Sequence, residues 1–168
     1  LPSIFLFHHI IFFNQNNNNI SEIYIYDNQN GNNNNVFNLE LNALIKEKRK
    51  RAKKFESEGK VNEAINEYEE ALDYAFQNNE EITAGEILTD IGKIKFDEND
   101  EIQAIEKYNQ AIDLFKTNNK NAEIEANYNN LAVIFTGMGL YDDAINAYEQ
   151  ALVYNEKANN NNEAKYYS

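Results

Sequence analysis

Cysteine is absent from the 168 residues, so the chain can form neither a disulfide framework nor a thiolate metal site. Histidine occurs only as His8 and His9, and neighbours on an extended chain point to opposite sides, which is poor geometry for sharing one metal. Positive charge is scarce: fifteen Lys and Arg stand against 28 Asp and Glu, a formal net charge of -13. A field of that sign repels phosphates and argues against general nucleic-acid binding. Long apolar runs are missing too. Leu1 to Phe13 (LPSIFLFHHIIFF) falls short of the roughly 20 residues needed to cross a bilayer, and no small-residue cleavage site follows it, only Asn14, Gln15 and further asparagines. Phosphate-binding glycine loops, a nucleophile elbow, a metal-ligating His pair and a Cys-His couple are all lacking. These absences lead us to expect no catalysis, cofactor, metal, nucleic acid or membrane. Without cysteine the chain suits a reducing compartment, and the expected location is the cytoplasm.

What remains divides the chain in two. Residues 1–40 are low-complexity and Asn-rich, and are expected to be disordered. Within them Ile20 to Tyr26 (ISEIYIY) alternates in part like a strand, but polar tracts enclose it and point instead to a mobile segment. From Leu41 the text becomes helical and repetitive. Ala64, Ala104 and Ala144 stand forty residues apart, and the same offset aligns Ile65, Ile105 and Ile145, then Tyr68, Tyr108 and Tyr148, then Ala71, Ala111 and Ala151, then Leu72, Ile112 and Leu152. Inside each unit these columns fall at i, i+1, i+4, i+7 and i+8, one continuous face of a helix. A preceding helix carries its own stripe, as in Tyr128, Leu131, Ala132 and Phe135, and Gly139 marks the turn between the two.

Small residues sit where the two helices must approach closely: Ala52, Gly92 and Ala132 on the first, Ala64, Ala104 and Ala144 on the second. The pattern predicts helical hairpins over Leu41–Phe76, Ile82–Thr117 and Ala122–Lys157. As units these occupy about 41–80, 81–120 and 121–160, with the start of a fourth at 161–168. Because the text stops inside that start, the sequence reads as a piece of a longer protein. The apolar outer face of the third hairpin, with Tyr154 and its neighbours, is then uncovered and expected to self-associate.

The stretch from Asn129 to Leu152, NNLAVIFTGMGLYDDAINAYEQAL, resembles a tetratricopeptide repeat almost residue for residue. Unit two is similar, with Lys95 at an aromatic position and Asn99 in place of the turn glycine, which predicts a looser turn. Unit one keeps Ala52, Phe55 and Gly59, while Lys48 and Arg51 replace apolar residues of its first helix. The period exceeds the usual 34 residues by about six, some 9 Å of extra helix. In this it is similar to the repeats of kinesin light chains and of cortical adaptors that link G-protein subunits to the spindle machinery.

The resemblance implies an all-α solenoid of stacked antiparallel hairpins that binds extended peptides or helices of partner proteins in a groove lined by the first helices. Arg49 and Lys53 in unit one, Lys93 and Phe96 in unit two, and Asn129, Asn130 and Val133 in unit three are the peptide-binding candidates by register. The carboxylate clamp of chaperone-binding relatives is not expected, because Asp90, Ala126 and Asn130 stand where basic or amide side chains belong. The alternative is a regulatory or targeting module of a larger enzyme. Two other features have bland readings. Asp97 to Glu101 alternates like a calcium loop, but Ile102 occupies the place of the obligatory glycine. The run Lys46 to Lys54 holds seven of the fifteen basic residues; it reads as a solvated helix, with nuclear import or an acidic partner as the functional readings.

Overall fold

The computed structural model describes the backbone at residues 8–12, 21–25 and 33–166, and side chains from 38 to 159. Contacts divide the chain into Leu1–Glu40 and Leu41–Ser168. In the first unit, strands β1 (His8–Phe12) and β2 (Ser21–Ile25) pair antiparallel, with His8 opposite Ile25 and Phe12 opposite Ser21. Residues 21–25 of the segment expected to be mobile thus form a strand, for which the apolar run upstream, rich in Ile and Phe, supplies a partner of high strand propensity. Residues 13–20 and 26–32, on which the expectation of disorder also fell, lie outside the described residues.

The second unit is all helix. Helices α1 (Asn33–Ser57), α2 (Val61–Gln77), α3 (Glu81–Asp97), α4 (Glu101–Thr117), α5 (Asn121–Gly137) and α6 (Tyr141–Tyr166) follow one another through three-residue connections. The three hairpins lie where the repeat placed them, except that α1 starts upstream of Leu41, where no proline or glycine follows Gly31 to stop it.

A turn of one kind closes each of the helices α1 to α5. Gly59, Asn79, Asn99, Asn119 and Gly139, spaced by twenty, all have positive φ, from 53° to 75°. Each turn also carries a matching pair of backbone bonds, such as Gly59 N–H to Glu56 O at 3.0 Å and Lys60 N–H to Phe55 O at 2.9 Å. This is the Schellman arrangement, which satisfies carbonyls left open at a helix end. At Asn99 the same two bonds, Asn99 N–H to Phe96 O and Asp100 N–H to Lys95 O, are 2.9 Å each, so the turn of unit two is no looser than the others. Asparagine enters the left-handed region at small cost because its short polar side chain is tolerated there. The forty-residue period is therefore two near-equal halves: α2, α3, α4 and α5 each have 17 residues.

The fourth unit does not begin at 161, since α6 continues as one helix through Tyr166. The turn column would fall on Asn159, whose amide instead donates to Asn155 Oδ1 at 3.0 Å one helical turn back. At the other five turns a following helix packs back and holds the left-handed residue in place.

The core is two apolar clusters in series. Ile45 and Ala52 of α1 join Ala64, Ile65, Tyr68, Ala71 and Ala75 of α2 and Ala84, Ile87, Ile91 and Ile94 of α3. Ala104, Tyr108, Ala111, Ile112 and Phe115 of α4 join Leu88 of α3, Ile124, Leu131, Ala132 and Ile134 of α5 and Ala147 of α6. Both faces of α3 and α5 are used, which is how stacking makes a core that no single hairpin has. Tyr154 belongs inside rather than on the outer face: its ring stacks on Tyr128, with centroids 5.8 Å apart.

The close approaches are set by glycine. A methyl group on Gly92 would lie 2.9 Å from Cε1 of Tyr108, and one on Gly85 would lie 2.8 Å from Cε1 of Phe115. Both rings are buried and cannot withdraw. Gly85→Ala and Gly92→Ala should each destabilise the array by about 1–3 kcal/mol through overpacking, despite the higher helix propensity of alanine. At Gly137, where a methyl group meets nothing within 4 Å, the same change should stabilise by about 0.5–1 kcal/mol. Urea denaturation of the three variants checks the signs, and a stabilised Gly92→Ala would show that the ring does not lie against this backbone.

Candidate functional site

The first helix of each hairpin, α1, α3 and α5, carries the seven residues chosen by register, and the structure sorts them into two groups. Lys53, Lys93 and Val133 share one column and are exposed on all three helices. They form the accessible part. Asn130 is half-buried in an adjacent column, the one that holds Lys50 and Asp90 in the earlier units.

The remaining residues are held by the protein itself. Arg49 places Nη1 2.7 Å from Glu86 Oε2 and Nη2 3.5 Å from Asp90 Oδ2, so its charge is matched by α3. Phe96 is half-buried against the second apolar cluster and serves packing. Asn129 donates from Nδ2 to Glu125 Oε1 at 3.0 Å, within its own helix. Of the three basic candidates, two keep a charge not committed to an ion pair among the described residues.

Several polar contacts that tie the helices together, within a hairpin or between hairpins, were not singled out in the sequence. The Thr89 hydroxyl lies 3.0 Å from Oδ1 of Asn127, which is almost fully buried and donates from Nδ2 to Glu123 O at 2.8 Å. Buried Glu67 is ion-paired with both Lys48, at 3.2 Å, and Arg51, at 2.6 Å, and Lys48 also meets Glu70 at 2.7 Å. This explains the two basic residues on the first helix of unit one. Their stems lie over the core while their heads reach the acids of α2. Burial disfavours charge on Lys48, but its bonds to Glu70 and Glu67 outweigh it and raise the pKa. A signal for the contacts between hairpins existed: Arg49 with Glu86 and Thr89 with Asn127 are 37 and 38 residues apart, just under one period.

Asp90 is the least comfortable group. Burial is the main influence on its carboxyl and raises its pKa, against the pull of Lys53 and Arg49. Its Oδ2 is shut from solvent, and Arg49 approaches it without hydrogen-bond geometry. Nearby, the Tyr68 hydroxyl donates to Glu56 Oε2 at 2.7 Å, and burial followed by that bond pushes its pKa far up, so it stays protonated. Among the described residues no group of three or more His, Cys, Asp or Glu could hold a metal ion, and no helix is long and apolar enough to cross a membrane.

Stacked helical hairpins of this register and turn geometry are matched, over residues 45–167, by the family model of the soluble NSF attachment proteins, SNAP. The chain belongs to the SNAP family. Comparison with curated proteins returns no match. Solved structures place the fold among tetratricopeptide arrays. The TPR domain of Arabidopsis FLU is 18% identical with a TM-score of 0.63, covering 70% of this chain and 98% of that one. Aspartyl phosphate phosphatase F from Bacillus subtilis is 20% identical with a TM-score of 0.67, covering 76% and 34%. BtubC from P. vanneervenii is 21% identical with a TM-score of 0.62, covering 70% and 48%. The chain thus spans about half of BtubC and a third of the phosphatase. A Podosopora anserina putative kinesin light chain shares the fold at 14% identity and a TM-score of 0.55, covering 68% of this chain and 56% of that one. SNAP and TPR-like helical repeats generally serve as non-catalytic scaffolds that bind other proteins.

The environment of Asp90 sets a pH dependence. A carboxyl whose pKa is raised by folding binds its proton more tightly in the folded state, so stability falls as pH rises from the ordinary aspartate value through the raised one. Asp90→Asn, which keeps the shape and removes the titration, should flatten the stability profile just above the ordinary aspartate range and be neutral or stabilising at pH 7. Urea midpoints of both proteins across that range check this, and parallel profiles would show that Asp90 is solvated.

Proposed function

We propose that the chain is a protein-interaction scaffold that holds an extended or helical segment of a partner protein along the face made by α1, α3 and α5. The observation that carries this is the exposed column Lys53, Lys93 and Val133, repeated at one register position on all three helices. Membership of the SNAP family and likeness to tetratricopeptide arrays support it. Side chains at one register position on successive hairpins present equivalent points to a segment lying across them. Lys53 and Lys93 suit acidic side chains of that segment, and Val133 an apolar one. The amide of Asn130 can both donate to and accept from a peptide backbone. Arg49 supports the face by joining α1 to α3 rather than by meeting the ligand, and Asn129 contributes once released from Glu125.

The family takes its name from attachment to NSF, which makes NSF the first partner to assay, followed by proteins captured from native extract and identified. Lys53→Glu with Lys93→Glu should weaken binding in a salt-sensitive way. Asn130→Ala should weaken it by about 1–3 kcal/mol with little salt dependence, through lost hydrogen bonds to the backbone. Isothermal titration at two ionic strengths separates the two signatures. Partners bound equally by wild type and both variants would move the site off this face.

A further inference from the structure

The forty-residue register shows that one helix face, covered twice in this array, is bare the third time. Tyr68 on α2 and Tyr108 on α4 are 0% and 2% exposed, whereas Tyr148 on α6, in the same column, is 46% exposed. Ile145 and Leu152 stand in columns whose earlier members are at least half-buried, yet they are 56% and 61% exposed. With Tyr141 they form a stripe at i, i+4, i+7 and i+11, one side of a helix. Beside it runs a row of exposed acids at heptad spacing, Asp142, Glu149 and Glu156. The corresponding residues of α4 are Ile102, Asn109 and Lys116, so the acidic row is particular to α6.

We propose that this face of α6 docks an amphipathic helix from a partner protein, one with branched apolar residues along a stripe and Lys or Arg beside it. The apolar half of that specification comes from the chain. The cluster that buries Tyr68 receives Ala84, Ile87, Ile91 and Ile94 from α3, at i, i+3, i+7 and i+10. The cluster that buries Tyr108 receives Ile124, Leu131 and Ile134 from α5 at the same spacing. A helix of this pattern fits the third copy of the face. The charged half comes from the acidic row, which selects a basic flank and disfavours a second copy of α6: two-fold antiparallel pairing sets each flank against its own counterpart, acid against acid. The site lies on the last second helix, apart from the face of α1, α3 and α5.

The test uses the full 168-residue chain and a fluorescein-labelled synthetic helix of 17 residues, the length of α3, with Ala, Ile, Ile and Ile at the α3 spacing and lysine beside that stripe. A second peptide carries glutamate in place of the lysines. By anisotropy at low salt the lysine peptide should bind at least about tenfold more tightly, with the gap narrowing as salt is raised. Ile145→Lys with Leu152→Lys should weaken it by about thirtyfold or more. Reversing the row with Asp142→Lys, Glu149→Lys and Glu156→Lys should switch preference to the glutamate peptide. Glu63→Lys, at an exposed acid of α2 that belongs to neither face, should leave both affinities unchanged, which shows that the acidic row of α6 and not net charge selects the peptide. Absence of binding, equal binding of the two peptides, or binding retained in the Ile145 and Leu152 double variant overturns the proposal. So does sedimentation showing a dimer that the same double variant abolishes, which would make the occupant a second copy.

Discussion

Two helices can lie close only where one offers the other no side chain, and this array depends on meeting that condition at regular intervals. Gly92 accepts the ring of Tyr108 and Gly85 that of Phe115 against bare helix backbone. The alanine column at 64, 104 and 144 is buried throughout. The rings that fill the remaining space then reach the next hairpin, so packing within a unit and packing between units are made by the same residues. Burial of one such aromatic contributes on the order of 1.5–3 kcal/mol. That contribution is available only if the helices first come together.

The left-handed turns make that approach repeatable. A positive φ at every twentieth residue from 59 to 139 makes α2, α3, α4 and α5 equal in length and sends each following helix back along the one before. Glycine and asparagine are interchangeable there because both enter this region at modest cost. Polar contacts then fix how neighbouring hairpins sit. Arg49 with Glu86 and Asp90, and Thr89 with Asn127, join first helices across units. Charge that a reading of the sequence would assign to a ligand is partly consumed in holding the scaffold, and Lys53 and Lys93 are the basic candidates left without an ion pair among the described residues.

The outermost described helices also differ. On α1 the counterparts of Ile87, Ile91 and Ile94 are Glu47, Arg51 and Lys54, all exposed. On α6 the counterparts of buried Tyr108 and Ile112 are Tyr148 and Leu152, both exposed.

The fold was legible in the sequence because a forty-residue period in apolar and small residues is a local, additive signal: each column marks one side of one helix, and five columns in register fix a hairpin. Membership of a tetratricopeptide-like class followed from the same residues, as did the candidate face on the first helices. Tertiary structure alone decided which candidates are accessible. Arg49 and Lys53 are equally basic on one helix, and only the position of Glu86 and Asp90 on the next hairpin neutralises the first and leaves the second exposed. Tyr154 and Tyr148 are likewise both tyrosines on α6, and only the placement of Tyr128 makes one part of the core and the other part of a surface. Periodicity along a chain specifies which side of a helix is apolar, whereas exposure and pairing depend on what the neighbouring helix brings to that side.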